Sequence, residues 1–327
     1  MPKLSVVIPA RNEEFLGLTI NSILDNIELD TEVVVILDGY WPDPPIADRE
    51  RLTFIHHVKP VGQRAGTNEG VRLFESEYVM KIDAHCMVDK GFDRKLIEPY
   101  EKGEIDMQTT SIPRMYNLHV FDWLCSCGSR FYQADKPKEC PRCKNKEFTK
   151  SIVWKPRWER MTESWRFDKD MHFQYWVSGE KRPESKGEIA DVMCSVGACF
   201  LMPRDFFFHI GGLDEKHGSW GQFGVEIACK SWLSGGRHIV NKRTWFSHMF
   251  RTKNEFLGFP YKISGNDQER AKEYSRDLWL NNKWDKATRP LSWIIEKFNP
   301  PTWEINKEVS DGIISSSSKE VSRICAT

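Results

Sequence analysis

Asp83 and His85 stand two residues apart at the end of the run Tyr78-Val79-Met80-Lys81-Ile82, with Cys86 just beyond them. The run reads as a buried strand, which puts the carboxylate and the imidazole on one face at its carboxyl end. One oxygen and one nitrogen there can share a divalent cation, at the place where open α/β sheets bind ligands. Two other segments suit a nucleotide. Asp38 ends the run Glu32 to Leu37 ahead of Gly39, where a carboxylate can accept hydrogen bonds from a base or ribose or simply close a turn. Gly62-Gln63-Arg64-Ala65-Gly66-Thr67-Asn68 joins flexible backbone to a cation ahead of a helix, a place for an anionic diphosphate.

A different chemistry is written in the cysteines. Cys125-Ser126-Cys127 and Cys140-Pro141-Arg142-Cys143 are separated by twelve residues, two thiol pairs flanking a glycine-containing hairpin. That is a structural zinc pattern. The first pair is one residue shorter than the usual Cys-x-x-Cys, which leaves His119 as an alternative ligand. Cys86, Cys194, Cys199, Cys229 and Cys325 read as small buried or incidental residues.

The elements that must position these groups alternate along the first 110 residues. Leu4 to Ile8, Glu32 to Leu37, Leu52 to His56 and the run into Asp83 are strands, with helical periodicity over Asn12 to Asn26 and Asn68 to Glu75. Alternating strands and helices imply an α/β fold with a doubly wound, mostly parallel sheet, and near-continuous apolar strands fit one covered on both faces. Leu124 to Phe148 changes texture to Cys, Lys, Gly and Pro, as an insertion would. A compact region runs from Asp191 to about Arg251, Asp267 to Trp284 is helical, and the tail from Asp311 through Ser315 to Ser318 is disordered. The division that follows is 1–115 for a nucleotide-binding half, 116–150 for the zinc module, 151–265 for an acceptor half and 266–327 for a helical extension and tail.

Composition narrows the classes. Lys plus Arg and Asp plus Glu balance at 47 each, so no global field draws the chain to nucleic acid or membrane. A hydrophobic share of 40% with 13 Trp and 19 Phe describes a folded globular protein. No apolar segment approaches the roughly 20 residues of a spanning helix. The amino terminus lacks signal-peptide form, so a cytoplasmic protein that touches no membrane is expected.

Read in order, these motifs resemble a family. Pro9-Ala10-Arg11-Asn12-Glu13, Asp38-Gly39 and the strand end at Asp83 are similar to glycosyltransferase family 2 and its GT-A fold relatives. Asp83-Ala84-His85-Cys86 and the block Trp220 to Arg251 resemble the polypeptide N-acetylgalactosaminyltransferases in particular. Those enzymes carry an Asp-Ser-His-Cys metal motif, a Trp-Gly-Gly-Glu-Asn-Leu-Glu segment and a His-Val-Phe-Arg ending. Trp220-Gly221, Glu226, Trp232, Gly235-Gly236 and His248-Met249-Phe250-Arg251 match here. The resemblance covers roughly residues 4 to 110 and 190 to 251.

It implies that Asp83, His85 and His248 ligate one cation, manganese rather than magnesium because two imidazoles sit beside one carboxylate. It also implies that Pro9, Ala10, Asn12, Glu13, Asp38, Arg64, Asp83, Trp220 and Arg251 hold a UDP-sugar. Ligation needs neutral rings, so activity should fall below about pH 6. One departure bears on mechanism. Phe223-Gly224 stands where the relatives have Glu-Asn, so the position that supplies a base in inverting relatives is lost. Glu226 is then the nearest acid, as a catalytic group or a contact to a sugar hydroxyl, and a retaining route fits better.

The acceptor is read from charge. Lys136 to Arg160 carries nine Lys or Arg against three Glu, a net of +6, with Trp154, Trp158 and Trp165 close by. Cations among aromatics suit a polyanion with bases to stack upon. The leading expectation is therefore transfer to a 5-hydroxymethylated pyrimidine in DNA, as in viral DNA modification, which would place the protein in a host cytoplasm. Transfer to protein Ser/Thr or a glycan is the alternative. A non-catalytic zinc-ribbon protein that binds nucleic acid on a transferase fold is the reading from another class.

Overall fold

The computed structural model describes residues 1–133, 135–251, 258–261 and 265–303. The expected disordered tail from Asp311, with Cys325, lies outside them. Thirteen strands are described. They are β1 Leu4–Ala10, β2 Thr31–Asp38, β3 Leu52–His57, β4 Tyr78–Ile82, β5 Cys86–Val88, β6 Thr109–Cys125 and β7 Arg130–Tyr132. Then follow β8 Phe148–Thr162, β9 Trp165–Phe167, β10 Phe173–Tyr175, β11 Ile189–Asp191, β12 Cys199–Pro203 and β13 Arg237–His248. The α-helices are α1 Leu16–Leu24, α2 Gln63–Leu73, α3 Phe92–Glu101, α4 Arg204–His209, α5 Phe223–Leu233, α6 Gly265–Leu280 and α7 Leu291–Phe298.

One sheet runs in the order β11-β13-β6-β12-β4-β1-β2-β3, with β5 on β13 and with β7 and β8 on β6. The strands β4, β1, β2 and β3 are parallel, as the alternating pattern implied. Val6 to Ile8 and Val33 to Ile36 are fully buried, which is why they carry no polar alternation. β12 enters antiparallel between β4 and β6, and β13 then runs parallel to β6. No helix among the described residues is long and apolar enough to cross a membrane.

Two features of this sheet position the site. α2 lies close on β1, because a Cβ at Gly70 would stand only 2.7 Å from Val7 Cγ1. α2 also begins earlier than its periodicity suggested, at Gln63 instead of Asn68, so Arg64 sits in its first turn. At the far end, β6 and β8 extend beyond the sheet as a long antiparallel arm. A separate apolar cluster of Phe15, Leu118, Phe121, Trp123, Phe148 and Met249 seats the arm on the body. The expected divisions at 115 and 150 fall inside β6 and β8, so the cysteine module is continuous with the sheet's own strands.

A candidate metal and nucleotide site

β1 ends at Ala10, β2 at Asp38 and β4 at Ile82, and parallel pairing brings these ends to one edge. Asp83 follows β4, its amide donating to Ala198 O at 2.8 Å just ahead of β12. β13 supplies the third group. His248 is the register partner of Cys86, and the Met249 amide donates to His85 O at 3.1 Å, so one strand pair brings together residues 163 positions apart. His248 Nε2 stands 3.1 Å from His85 Nε2 and 3.3 Å from Asp83 Oδ2. All three ligand atoms lie within 4.8 Å of one another.

The local electrostatics suit a cation. Burial pushes the Asp83 carboxyl up, but the Lys81 ammonium and the two imidazoles outweigh it and hold the group ionised, well below the usual range. Burial drives His248 down to about 4, against the pull of Asp83, so its ring is neutral and carries a free lone pair at neutral pH. His85 Nδ1 lies 3.2 Å from Glu13 Oε2, an arrangement that turns Nε2 toward the cluster. Arg251 donates to the same Glu13 oxygen. Two imidazole nitrogens facing each other beside a carboxylate fit a bound divalent ion.

The cluster lies in the wall of a cavity of about 760 Å³. Of the expected nucleotide contacts, Pro9, Ala10, Glu13, Asp38, Asp83, Trp220 and Arg251 line it, as do His85 and His248. Asp38 is already engaged, accepting from the amides of Val61 at 2.6 Å and Gly62 at 3.2 Å. Three expected residues do not line it. Asn12 instead donates to Pro260 O at 2.9 Å.

Arg64 and Glu226 turn inward to each other, a second correction. Arg64 Nε donates to Glu226 Oε2 at 2.8 Å, and their side chains are 1% and 0% exposed. The other guanidinium nitrogens hold Gly218 O and Gly221 O at 2.8 and 2.7 Å. Lys230 stands 3.2 Å from Glu226, which also accepts from the Asp214 amide. Burial pushes Glu226 up, yet Arg64, Lys230 and His217 together bring it to about 2. Glu226 is thus fully buried and paired and does not line the cavity. Through Arg64 it is tied to Gly218 and Gly221, on either side of Trp220.

Several lining residues escaped the sequence reading. Lys81 and Gln63 both donate to Asp83 Oδ1. Phe223 from α5, Phe259, Tyr261 and the β10 segment with Tyr175 complete the walls. Lys81 had a signal, a lone cation in an apolar strand on the same face as Asp83. The aromatic contributions from β10 and from residues 259 and 261 had none.

The four cysteines also converge. Their sulfurs lie within 4.8 Å of one another, with Cys125 to Cys143 at 3.4 Å and Cys127 to Cys140 at 3.7 Å. Tetrahedral zinc with Zn–S near 2.3 Å places its sulfurs about 3.8 Å apart. The turns are alike. Cys125 N donates to Ser129 O at 2.9 Å and Cys140 N to Asn145 O at 2.7 Å. Gly128 and Lys144 both take left-handed φ, at 84° and 63°, so the short first pair still closes its knuckle. The Ser129 hydroxyl and amide bring the Cys127 thiol down to about 6, toward the thiolate a metal needs. His119 is engaged elsewhere, with Asp122 at 2.7 Å.

A mixed sheet with a parallel core, a cavity over its carboxyl ends and an Asp-x-His cluster there define the GT-A class. The glycosyl transferase family 2 model matches residues 5–207, more than half of the chain, and the chain belongs to that family. Polypeptide N-acetylgalactosaminyltransferase 8 of Drosophila melanogaster is 24% identical over 300 residues, covering 88% of this chain and 45% of that protein. The chain spans about half the length of the curated relatives it matches. Among solved structures, GalNAc-T7 with UDP, GalNAc and Mn2+ superposes with a TM-score of 0.63 at 16% identity, covering 91% of this chain and 57% of that one. TarS residues 1–349 of S. aureus, in complex with UDP-GlcNAc, gives 0.51 at 13% identity, covering 90% and 71%.

Proposed function

We propose that the chain is a metal-dependent glycosyltransferase that moves a sugar from a UDP-sugar to a hydroxyl acceptor. The observation that carries this reading is the meeting of Asp83, His85 and His248 in the wall of a cavity of about 760 Å³. Ligand cavities run to roughly 300–1,000 Å³. Manganese is the ion we assign, since imidazole donors suit it better than magnesium, and GalNAc-T7 was solved with Mn2+ and UDP. A divalent ion held there would offset the negative charge that develops on the departing diphosphate.

The chain's own groups then have separate tasks. Asp83, His85 and His248 would hold the ion, and Glu13 fixes the orientation of His85. Arg251, on the cavity wall beside Glu13, is a cation that would face the diphosphate. Pro9, Ala10 and Trp220 bound the space for base and sugar. Asp38 shapes that space by holding the turn at Val61 and Gly62.

Retention of anomeric configuration fits the carboxylates. Among the described residues, those lining the cavity are Glu13, Asp38 and Asp83, and each is committed to other groups. Phe223 occupies the position of the missing acid, and Glu226 is buried away. Among the described residues, no carboxylate on the cavity wall is free to take the acceptor's proton. The proton goes instead to an oxygen of the departing phosphate on the face where the new bond forms.

The acceptor we assign is a 5-hydroxymethylated pyrimidine in DNA. Supporting it is the β6–β8 arm, where Lys138, Arg142, Lys146 and Lys155 pair with no acid among the described residues and Trp158 is 57% exposed. Exposed cations bind phosphates and an exposed indole stacks on a base. Zinc in the Cys125, Cys127, Cys140 and Cys143 cluster stiffens that arm. A cytoplasmic site of action, the host's for a viral protein, goes with a DNA acceptor. The names of the relatives favour a second reading, a polypeptide hydroxyl. Labelled UDP-sugars with Mn2+ and either hydroxymethylated DNA, unmodified DNA or Ser/Thr peptides separate them. Label in hydroxymethylated DNA alone is expected, and label in peptides alone ends the DNA reading.

A further inference from the structure

The floor of the cavity holds a cation to which the proposed reaction gives no task. Lys81 is among the largest fully buried side chains, and it lies on β4 two residues ahead of Asp83. Its ammonium donates to Asp83 Oδ1 and, at 2.9 Å, to Gly197 O. On another side it faces the Phe223 ring at 5.0 Å, and the Arg64 guanidinium lies 4.0 Å from that same ring. A π face thus stands where the resembling enzymes have an acid. It stabilises a desolvated ammonium without neutralising it. Lys81 has no carboxylate of its own and shares that of Asp83.

The charges around the three ligands therefore cancel. Of the groups paired directly with the ligands or with Glu13, Asp83 and Glu13 are acids and Lys81 and Arg251 cations, and imidazoles ligate only as neutral rings. A divalent ion arriving alone meets no net negative charge, and a like charge already rests on its only carboxylate ligand. At this depth, like charges a few ångströms apart repel strongly. The diphosphate of a nucleotide brings the negative charge that the pocket lacks.

Resting on the reading of Asp83, His85 and His248 as a metal site, we propose that Lys81 is a resident counter-ion of Asp83 that makes the divalent cation and the nucleoside diphosphate bind as an interdependent pair. The cation alone binds weakly, and each partner strengthens the other by the same factor, as linkage requires.

The test measures binding directly, with no turnover. Mn2+ affinity is read by electron paramagnetic resonance of the free ion, with and without saturating UDP, for the wild type, Lys81→Met and Lys81→Arg. In the wild type, UDP should tighten Mn2+ by about tenfold or more, a coupling of about 1.4 kcal/mol. Lys81→Met should bind Mn2+ alone about tenfold tighter than the wild type and lose most of its response to UDP. Lys81→Arg, which keeps the charge, should keep the coupling. Should Lys81→Met not fold, Lys81→Gln takes its place. A folded neutral variant that binds Mn2+ alone no tighter than the wild type overturns the proposal. A wild type that binds no Mn2+, even with UDP, overturns the metal site itself.

Discussion

Replacing Glu226 by Gln removes one charge from a site with no access to water, and the structure sets the size of the consequence. The carboxylate is fully buried and accepts from Arg64 at 2.8 Å, with Lys230 at 3.2 Å and His217 Nδ1 at 3.7 Å. Glu226→Gln leaves two buried cations facing an amide. Breaking a buried pair from one side costs about 3–5 kcal/mol. Linkage gives a second route to the figure. A carboxyl brought from 4.5 to about 2 contributes about 3 kcal/mol at neutral pH, at about 1.4 kcal/mol per unit. The sign is that of a depressed acid. The stabilisation is complete above pH 4.5 and fades as pH falls toward 2. Urea unfolding of both proteins at pH 7 and pH 4 tests this. The variant should lose about 3–5 kcal/mol at pH 7, a large part of a domain's total, and the gap should narrow at pH 4. A variant as stable as the wild type to within about 0.5 kcal/mol, yet inactive, would refute the reasoning and return Glu226 to a chemical role.

Other outcomes follow from the same geometry. Glu13→Gln should weaken Mn2+ binding about 10–100-fold by releasing His85, as titration calorimetry in the presence of UDP would measure. Cys140→Ser should lower the zinc content found by atomic absorption and reduce the melting temperature; unchanged zinc would refute the four-cysteine assignment. Reversing the charge of Lys155 and Arg160 together should weaken DNA binding and flatten its salt dependence by about two phosphate contacts, read from fluorescence anisotropy across a salt series.

Much of the fold was legible because the parallel strands are buried on both faces and so read as apolar runs. β1, β2 and β4 were visible for that reason, and Asp38 and Asp83 mark their ends. Pairing of β13 with β5, which brings His248 to His85, left no local trace and came only through the resemblance. Arg64 and Glu226 were misplaced for one physical reason. Charge in sequence looks the same whether it faces a ligand or a partner, and only the depth of α2 and α5 decides. Lys81 shows the converse, a functional cation hidden inside an apolar strand. The thiols mark only the tip of the cysteine module, while the strands β6 and β8 that carry it belong to the main sheet.

The account stands on one cation being held by Asp83, His85 and His248 beside a nucleotide diphosphate. Titration calorimetry of UDP into the wild type and His248→Ala, each with Mn2+ and with EDTA, measures that directly. The wild type should bind UDP far more tightly with Mn2+ than with EDTA, and His248→Ala should lose most of that difference while remaining folded. Equal UDP affinity in all four titrations would contradict it.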